Sequence, residues 1–259
     1  RTLMAHGLSV LLANTEALHG GRDPEFVHQA RVALRRMRSA LRLLDRKHQD
    51  FPESLAKELR WVGQTLGAAR DWDVLVESTL PAMVAATPKA LRARMRTLQK
   101  GALRRRGQEH RKAVAALSSA RFARLALRLQ AWTLTPAPKG GRLARRAPKL
   151  LARAHARLCD AARSFAQLSP ERRHRVRILA KRLRYALDLF ASTLPEKRTR
   201  RYVERLAHLQ DELGALNDAV VASGLLRRLS RAAGVDPLPA GDWLQRQREQ
   251  HALRAEQAL

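Results

Sequence analysis

Apolar and polar residues follow each other along most of the chain with the period of an amphipathic helix. Leucine and alanine recur every three or four positions with arginine between them, and strict two-residue alternation typical of β-strands is absent. Proline stands near the start of several segments, where its missing N–H costs little. The pattern predicts an all-α chain with helices over about residues 3–18, 24–47, 52–78, 88–117, 121–132, 143–167, 170–192, 195–230 and 240–257.

A segment rich in proline and glycine divides the chain near its midpoint. Residues 135–141 read Thr-Pro-Ala-Pro-Lys-Gly-Gly, which is the strongest linker composition in the sequence. We therefore predict a first helical bundle over residues 1–134, a linker over 135–141 and a second helical bundle over 142–259. Each half is long enough to bury a core.

The two halves share two sequence blocks in the same order. The segment from His28 to Leu44 aligns without gaps on the segment from His174 to Phe190. Downstream, Leu-Gly-Ala-Ala-Arg-Asp at residues 66–71 aligns on Leu-Gly-Ala-Leu-Asn-Asp at residues 213–218. This order indicates a duplicated helical unit. The two copies either pack as one compact body, which we favour, or lie side by side across a cleft.

The repeated helix has an apolar face and, beside it, a cationic face. On a helical wheel with about 100° per residue, the apolar residues of the first copy occupy one arc, and basic residues spaced about one turn apart occupy the next, headed by a histidine. We call this basic set the first stripe: His28, Arg31, Arg35, Arg38 and Arg42. The second copy repeats it as the second stripe: His174, Arg177, Lys181 and Arg184. Asp188, at the position aligned with Arg42, breaks the cationic pattern.

The charge of the chain indicates a polyanionic partner. Lys and Arg total 51 against 23 Asp and Glu, a net charge of +28, and such self-repulsion is typical of proteins that bind phosphate polymers or other polyanions. Codon bias explains the preference for arginine over lysine as well as phosphate binding does, but it does not explain the shortage of acidic residues. An exposed helix stabilised by ion pairs would alternate its charges. The stripes do not, so we predict that they chelate phosphate.

Four other basic residues are secondary candidates. Arg153 and Arg157 lie one turn apart after the linker and would extend the basic surface. Arg36 and Arg182 occupy matching positions in the two copies but lie outside the basic arc of the helix. For these two residues we slightly favour ion pairs with Asp71 and Asp218 over contact with a ligand.

The sequence lacks the features that are typical of several classes of protein. No stretch reaches the 18 or more apolar residues of a membrane span, and the single cysteine, Cys159, fits a reducing, cytoplasmic compartment. We find no carboxylate pair on the basic face, no glycine-rich phosphate loop and no HExxH arrangement. We expect no enzymatic activity, no metal and no cofactor, and we expect Cys159 to be an ordinary packed thiol.

At the repeated blocks the sequence resembles the CHAD domain, the conserved histidine α-helical domain. The resemblance is carried by Val-His-Gln-Ala-Arg-Val-Ala-Leu-Arg-Arg-Met-Arg at residues 27–38 and His-Arg-Val-Arg-Ile-Leu-Ala-Lys-Arg-Leu-Arg-Tyr at residues 174–185. It implies two four-helix bundles related by an approximate two-fold axis, with a basic central groove or pore. It also implies binding of inorganic polyphosphate by the two stripes and association with polyphosphate granules.

The resemblance further implies a possible neighbour in the same chain. Many CHAD domains follow a CYTH-type triphosphate tunnel domain, and this chain begins at Arg1 rather than at a methionine. We therefore expect it to be one module of a longer protein that carries, or associates with, a CYTH-type domain.

The alternative is a nonspecific RNA- or DNA-binding protein. Phosphate contacts alone would permit it, yet aromatic residues make up only 4% of the chain, and a single-strand binder needs aromatic side chains among the cations for base stacking. An anionic-membrane protein would need exposed apolar residues beside the cations, and the sequence offers none. We therefore favour polyphosphate over nucleic acid.

Overall fold

The computed structural model describes residues 1–20, 23–44, 51–136, 143–234 and 238–259. Within these ranges the chain is helical and contains no strand, so the predicted all-α class is confirmed. Ten α-helices follow each other in the described residues: α1 (Thr2–Gly20), α2 (Pro24–Leu44), α3 (Glu53–Val74), α4 (Leu80–Ala85), α5 (Arg92–Leu117), α6 (Ala120–Leu134), α7 (Leu143–Ala162), α8 (Pro170–Phe190), α9 (Glu196–Ala233) and α10 (Leu238–Gln257).

The chain divides into two compact units, Arg1–Pro138 with Leu225–Pro239, and Lys139–Gly224 with Ala240–Leu259. The first unit therefore includes the end of α9, which the sequence placed in the second bundle. There Leu229 lies over Gly101 of α5, where an added Cβ would be 3.3 Å from the leucine Cδ2. Of the predicted linker, only Thr135 and Pro136 lie within the described residues, and the predicted domain boundaries stay a prediction.

The first unit is built around an apolar core shared by α1, α2, α3, α5 and α6. Leucines at helical spacing on α3, such as Leu59 and Leu66, have no exposed surface. Gly7 of α1 faces Met37 of α2, and a Cβ at Gly7 would overlap the methionine side chain. The glycine thus permits the close approach of these two helices.

Helix α3 does not end at Val74 but continues through a π-helical turn, Leu75–Thr79, into the short α4. A π-helical turn inserts an extra residue into the i→i−4 ladder and is common at functional sites. Here it begins two residues after Asp73, whose side chain is buried. Glu77, within the turn, accepts a hydrogen bond from Arg106 of α5 at 2.7 Å.

In the second unit, local sequence fixes the start of α8. Ser169 is its N-cap, with the side-chain oxygen accepting a hydrogen bond from the Arg172 backbone N–H, and Pro170 occupies the first turn. The preceding turn places Ser164 at a left-handed φ of 51°. These features determine where the helix that carries the second stripe begins.

No helix among the described residues is both long enough and apolar enough to cross a membrane.

Candidate functional site

Helix α2 packs its apolar face against α1 and α3 and leaves the first stripe at the border of the solvent. The side chains predicted to face the core are buried at Ala30, Ala33, Leu34, Met37 and Ala40. His28, Arg31, Arg35 and Arg38 are half-buried. The side chain of Arg42 lies outside the described part of the structure. The separation of apolar and cationic faces that the wheel predicted is therefore present on this helix.

Two glycines of α3 lie under the arginines of the first stripe. An added Cβ at Gly67 would be 2.8 Å from Nη1 of Arg31, and one at Gly63 would be 3.1 Å from Nη1 of Arg38. The two glycines are one helical turn apart on α3, whereas Arg31 and Arg38 are about two turns apart on α2, and each guanidinium lies against one of the glycines. The missing side chains on α3 thus let these guanidinium groups lie against the helix.

The surroundings of His28 disfavour its charged form. Burial lowers the pKa of His28, and the positive charges of Arg70, Arg35 and Arg31 lower it further, while Glu25 opposes them. An anion bound beside His28 would act in the opposite direction and favour the protonated ring. Binding of an anion there would therefore be coupled to protonation of this histidine.

A network of charges on α3, the π-helical turn and α5 adjoins the first stripe. Asp73 is fully buried, and its Oδ1 lies 2.8 Å from Nε of Arg106 and 2.7 Å from Nε2 of His110. Arg106 also donates to Glu77 at 2.7 Å, and Glu77 lies 3.9 Å from Arg70. Sequence reasoning missed this network. Its hydrogen-bonded partners lie up to 37 positions apart on different helices.

The histidine of the second stripe contacts the neighbouring helix. His174 is exposed, and its Nδ1 lies 3.1 Å from Oδ1 of Asn217 on α9. Because a carboxamide oxygen only accepts hydrogen bonds, Nδ1 donates in this contact. In the aligned second blocks, Asn217 occupies the position of Arg70, whose positive charge adds to burial in lowering the pKa of His28 in the first copy. In both copies the residue at this position thus acts on the histidine of its stripe.

The rest of the second stripe differs from the first. Nε of Arg184 lies 3.3 Å from Oδ1 of Asp188, the residue that breaks the cationic pattern. Gln210, aligned with Gly63, donates from Nε2 to the carbonyl of Ala180 at 2.8 Å. Arg177 and Lys181 are half-buried on the same helix. The carboxylate of Asp188 reduces the positive charge at the end of this stripe.

A cleft in the second unit brings together the head of the second stripe and one wall of apolar residues. Its volume is about 430 Å³, part of it open to solvent, and no acidic residue lines it. Basic groups come from α8 and α10, and apolar groups from the start of α8 and from α9. The lining residues are Pro170, Arg173, His174, Arg177, Leu213, Leu216, Asn217, Val220 and Arg248.

The secondary candidates are all on the surface. Arg36, Arg153, Arg157 and Arg182 are exposed. Contact of these four residues with a ligand, and pairing of Arg36 and Arg182 with acidic residues of the second blocks, stay predictions.

The expectation that Cys159 is a packed thiol is wrong. Cys159 is exposed, and its Sγ lies 3.5 Å from Nε2 of His155. Nδ1 of His155 lies 2.7 Å from the hydroxyl of Tyr202, and burial raises the pKa of that phenol to about 12. One helical turn on α7 separates the cysteine from the histidine.

Among the described residues, no group of three or more His, Cys, Asp or Glu side chains has the geometry to hold a metal ion. The basic groups at both stripes are guanidinium, imidazole and ammonium, which bind oxyanions through charge-assisted hydrogen bonds.

Comparison with known proteins agrees with this architecture. A sequence model of the CHAD domain family matches residues 2–227. The crystal structure of the CHAD domain from the plant Ricinus communis superposes with a TM-score of 0.80 at 35% identity, covering 97% of this chain and 83% of that one. PptA from Streptomyces chartreusis superposes with a TM-score of 0.72 at 21% identity, covering 99% of this chain and 93% of that one. No curated protein matches the sequence.

The chain therefore belongs to the CHAD domain family, as its two repeated blocks predicted. The similarity to PptA shows a shared fold only. Helix α10, which contributes Arg248 to the cleft, lies outside the residues that match the family sequence model.

Proposed function

We propose that this protein binds inorganic polyphosphate without catalysis, through the first and second stripes. The observation that carries the proposal is the repeated arrangement itself. In each copy a histidine heads a basic helix face. His174 lies 3.1 Å from Asn217 of the neighbouring helix, and Arg70, at the aligned position of the first copy, is among the charges that act on His28. Cations spaced one helical turn apart can follow a linear polyanion that carries a negative charge on every unit.

The chemistry of the stripes supports binding rather than turnover. Guanidinium groups chelate two phosphate oxygens at once, and lysine and histidine add single donors. Hydrolysis or transfer of a phosphoryl group would need a metal held by carboxylates or an activated nucleophile. The carboxylate beside the second stripe, Asp188, is paired with Arg184, which leaves it poorly placed for such a role.

Inorganic polyphosphate suits these surfaces better than nucleic acid because the aromatic residues that could stack on bases are largely packed away. Trp72 and Phe190 are buried, and the ring of Trp61 is covered by the guanidinium of Arg121, 4.0 Å from its centroid. A polyanion without bases needs no stacking platform. The proposal includes a cytoplasmic location at polyphosphate granules and a CYTH-type domain as a fused or associated partner.

The proposal is tested by titrating long-chain polyphosphate into two double variants that lose the same charge. Arg31→Ala with Arg177→Ala removes one guanidinium from each stripe, whereas Arg104→Ala with Arg105→Ala removes two from the exposed side of α5. Each charge-assisted contact contributes about 1.5–3 kcal/mol, so the first variant should bind at least about tenfold more weakly than the second. Equal losses would mean that charge alone, and not the stripes, determines binding.

A further inference from the structure

The cleft in the second unit combines a phosphate-binding end with an apolar wall, and bare polyphosphate offers nothing to the wall. His174, Arg177, Arg173 and Arg248 supply the cationic side, while Leu216 and Val220 belong to the apolar side. Ligand sites in proteins combine apolar lining with a few fixed polar groups, and the cleft has both kinds of lining.

The aligned positions of the first copy explain why this cleft has an apolar wall. Val220 aligns with Asp73, and Asn217 aligns with Arg70. In the first copy those two residues belong to the charge network with Arg106, and the charge of Arg70 acts on His28. In the second copy the aligned positions carry the neutral amide of Asn217 and the apolar side chain of Val220. The second stripe therefore has a less charged neighbour than the first.

The groups at the cationic side differ in how they are held. Arg173 donates to the carbonyls of Phe165 and Ala166 at 3.3 and 2.6 Å, which fixes its guanidinium at the edge of the cleft. The hydrogen bond between Nδ1 of His174 and Asn217 orients the imidazole ring, and Nε2 donates to a phosphate oxygen when the ring carries both protons. Arg248 approaches from α10, and none of the ion pairs in the described residues involves it.

We propose that this cleft binds a phosphate monoester whose organic group is compact and apolar, such as an aryl phosphate. The phosphate contacts His174, Arg177 and Arg248, and the organic group packs against Leu216 and Val220. This ligand shares His174 and Arg177 with the proposed polyphosphate site, so the inference rests on the same phosphate-binding groups. It predicts that the two ligands compete in the second unit and leaves the first stripe to polyphosphate alone.

Calorimetric titration with phenyl phosphate and with inorganic phosphate tests the inference. Phenyl phosphate should bind about tenfold or more tightly than inorganic phosphate, because the ring buries apolar area against the wall. Val220→Ser should lower the affinity for phenyl phosphate by about fivefold and leave the affinity for inorganic phosphate unchanged. Val220 is 41% exposed, so this change leaves the core intact. Leu253→Ser, at an exposed position of α10 outside the cleft, is the matched control.

A second pair of variants tests the cationic side. Arg248→Ala should weaken phenyl phosphate by about tenfold through loss of a charge-assisted contact, whereas Arg246→Ala, which removes an equal charge from an exposed position of the same helix, should not. Equal affinity for the two phosphates, or equal affinity in wild type, Val220→Ser and Arg248→Ala, would overturn the inference.

Failure of the inference and failure of the proposed function give different results. Tight polyphosphate binding with no preference for phenyl phosphate would reject the cleft and keep the function. Binding of phenyl phosphate that depends on Val220 and Arg248, in a protein that does not bind polyphosphate, would keep the cleft and reject the function.

Discussion

Nη1 of Arg31 occupies the space that a side chain at Gly67 would need, with 2.8 Å between that nitrogen and an added Cβ. At the aligned position of the second copy, Gly214, an added Cβ would meet nothing within 4 Å. In the first copy this glycine of the repeat leaves room for a guanidinium group of the stripe. In the second copy no side chain of the described residues uses the space beside it. The close approach on α3 determines where the guanidinium of Arg31 lies.

This difference gives a prediction with a built-in control. Gly67→Ala should displace the flexible end of Arg31 and weaken polyphosphate binding several-fold, because a positioned guanidinium would be lost. Its free energy of unfolding should stay within about 1 kcal/mol of wild type, since alanine stabilises a helix by that amount relative to glycine. Gly214→Ala should gain similar helix stability without changing affinity. Titration and urea unfolding of both variants check this, and unchanged affinity in Gly67→Ala would refute a positioned Arg31.

The lowered pKa of His28 predicts how stability depends on pH. The unfolded chain takes up a proton at this histidine as pH falls through about 6.5, whereas burial and Arg70 keep the folded ring neutral to lower pH. The contribution of His28 is therefore fully present above pH 6.5 and is lost as pH falls below it. We expect His28→Gln to lose less stability than wild type between pH 7.5 and 5.5.

The measurement is urea unfolding of wild type and His28→Gln at those two pH values. His6→Gln, at an exposed position of α1 in the same unit, is the control and should follow wild type. If His28→Gln and wild type lost the same stability on acidification, the neutral, partly buried state of His28 would be wrong.

The buried carboxylate of Asp73 should be a large determinant of stability. Asp73→Asn removes the charge that faces both Arg106 and His110 at hydrogen-bond distance. Breaking a buried ion pair by removing one partner costs about 3–5 kcal/mol. Asp160→Asn, in the exposed pair with Arg163 at 3.0 Å, should cost about 1 kcal/mol or less. Similar unfolding midpoints for the two variants would contradict the structural role of Asp73.

Much of the fold could be predicted from sequence because the signals are local. The buried faces of α2 and α8 follow the 3.6-residue period, and Ser169 with Pro170 marks the start of α8. The repeated blocks identified the family. Each of these features is contained within one helix or in a direct alignment of two segments.

The features that sequence reasoning missed depend on packing between helices. A helical wheel places Arg31 on the correct face but cannot show that Gly67 lies beneath it. The partners of Asp73 lie 33 and 37 residues away on α5, and Arg248 reaches the cleft from α10. One signal was available: extending the aligned second blocks by two residues pairs Asp73 with Val220 and shows where the two copies differ in charge.

The most direct test of polyphosphate binding by the two stripes is a competition assay at near-physiological salt. Long-chain polyphosphate and single-stranded RNA of matched total charge compete for wild type and for a variant with alanine at His28, Arg31, His174 and Arg177. Counterion release makes both affinities fall with salt, so the comparison is made at one salt concentration. We expect wild type to prefer polyphosphate and the variant to lose that preference. Equal binding of both polymers, unaffected by the four substitutions, would contradict a dedicated polyphosphate site.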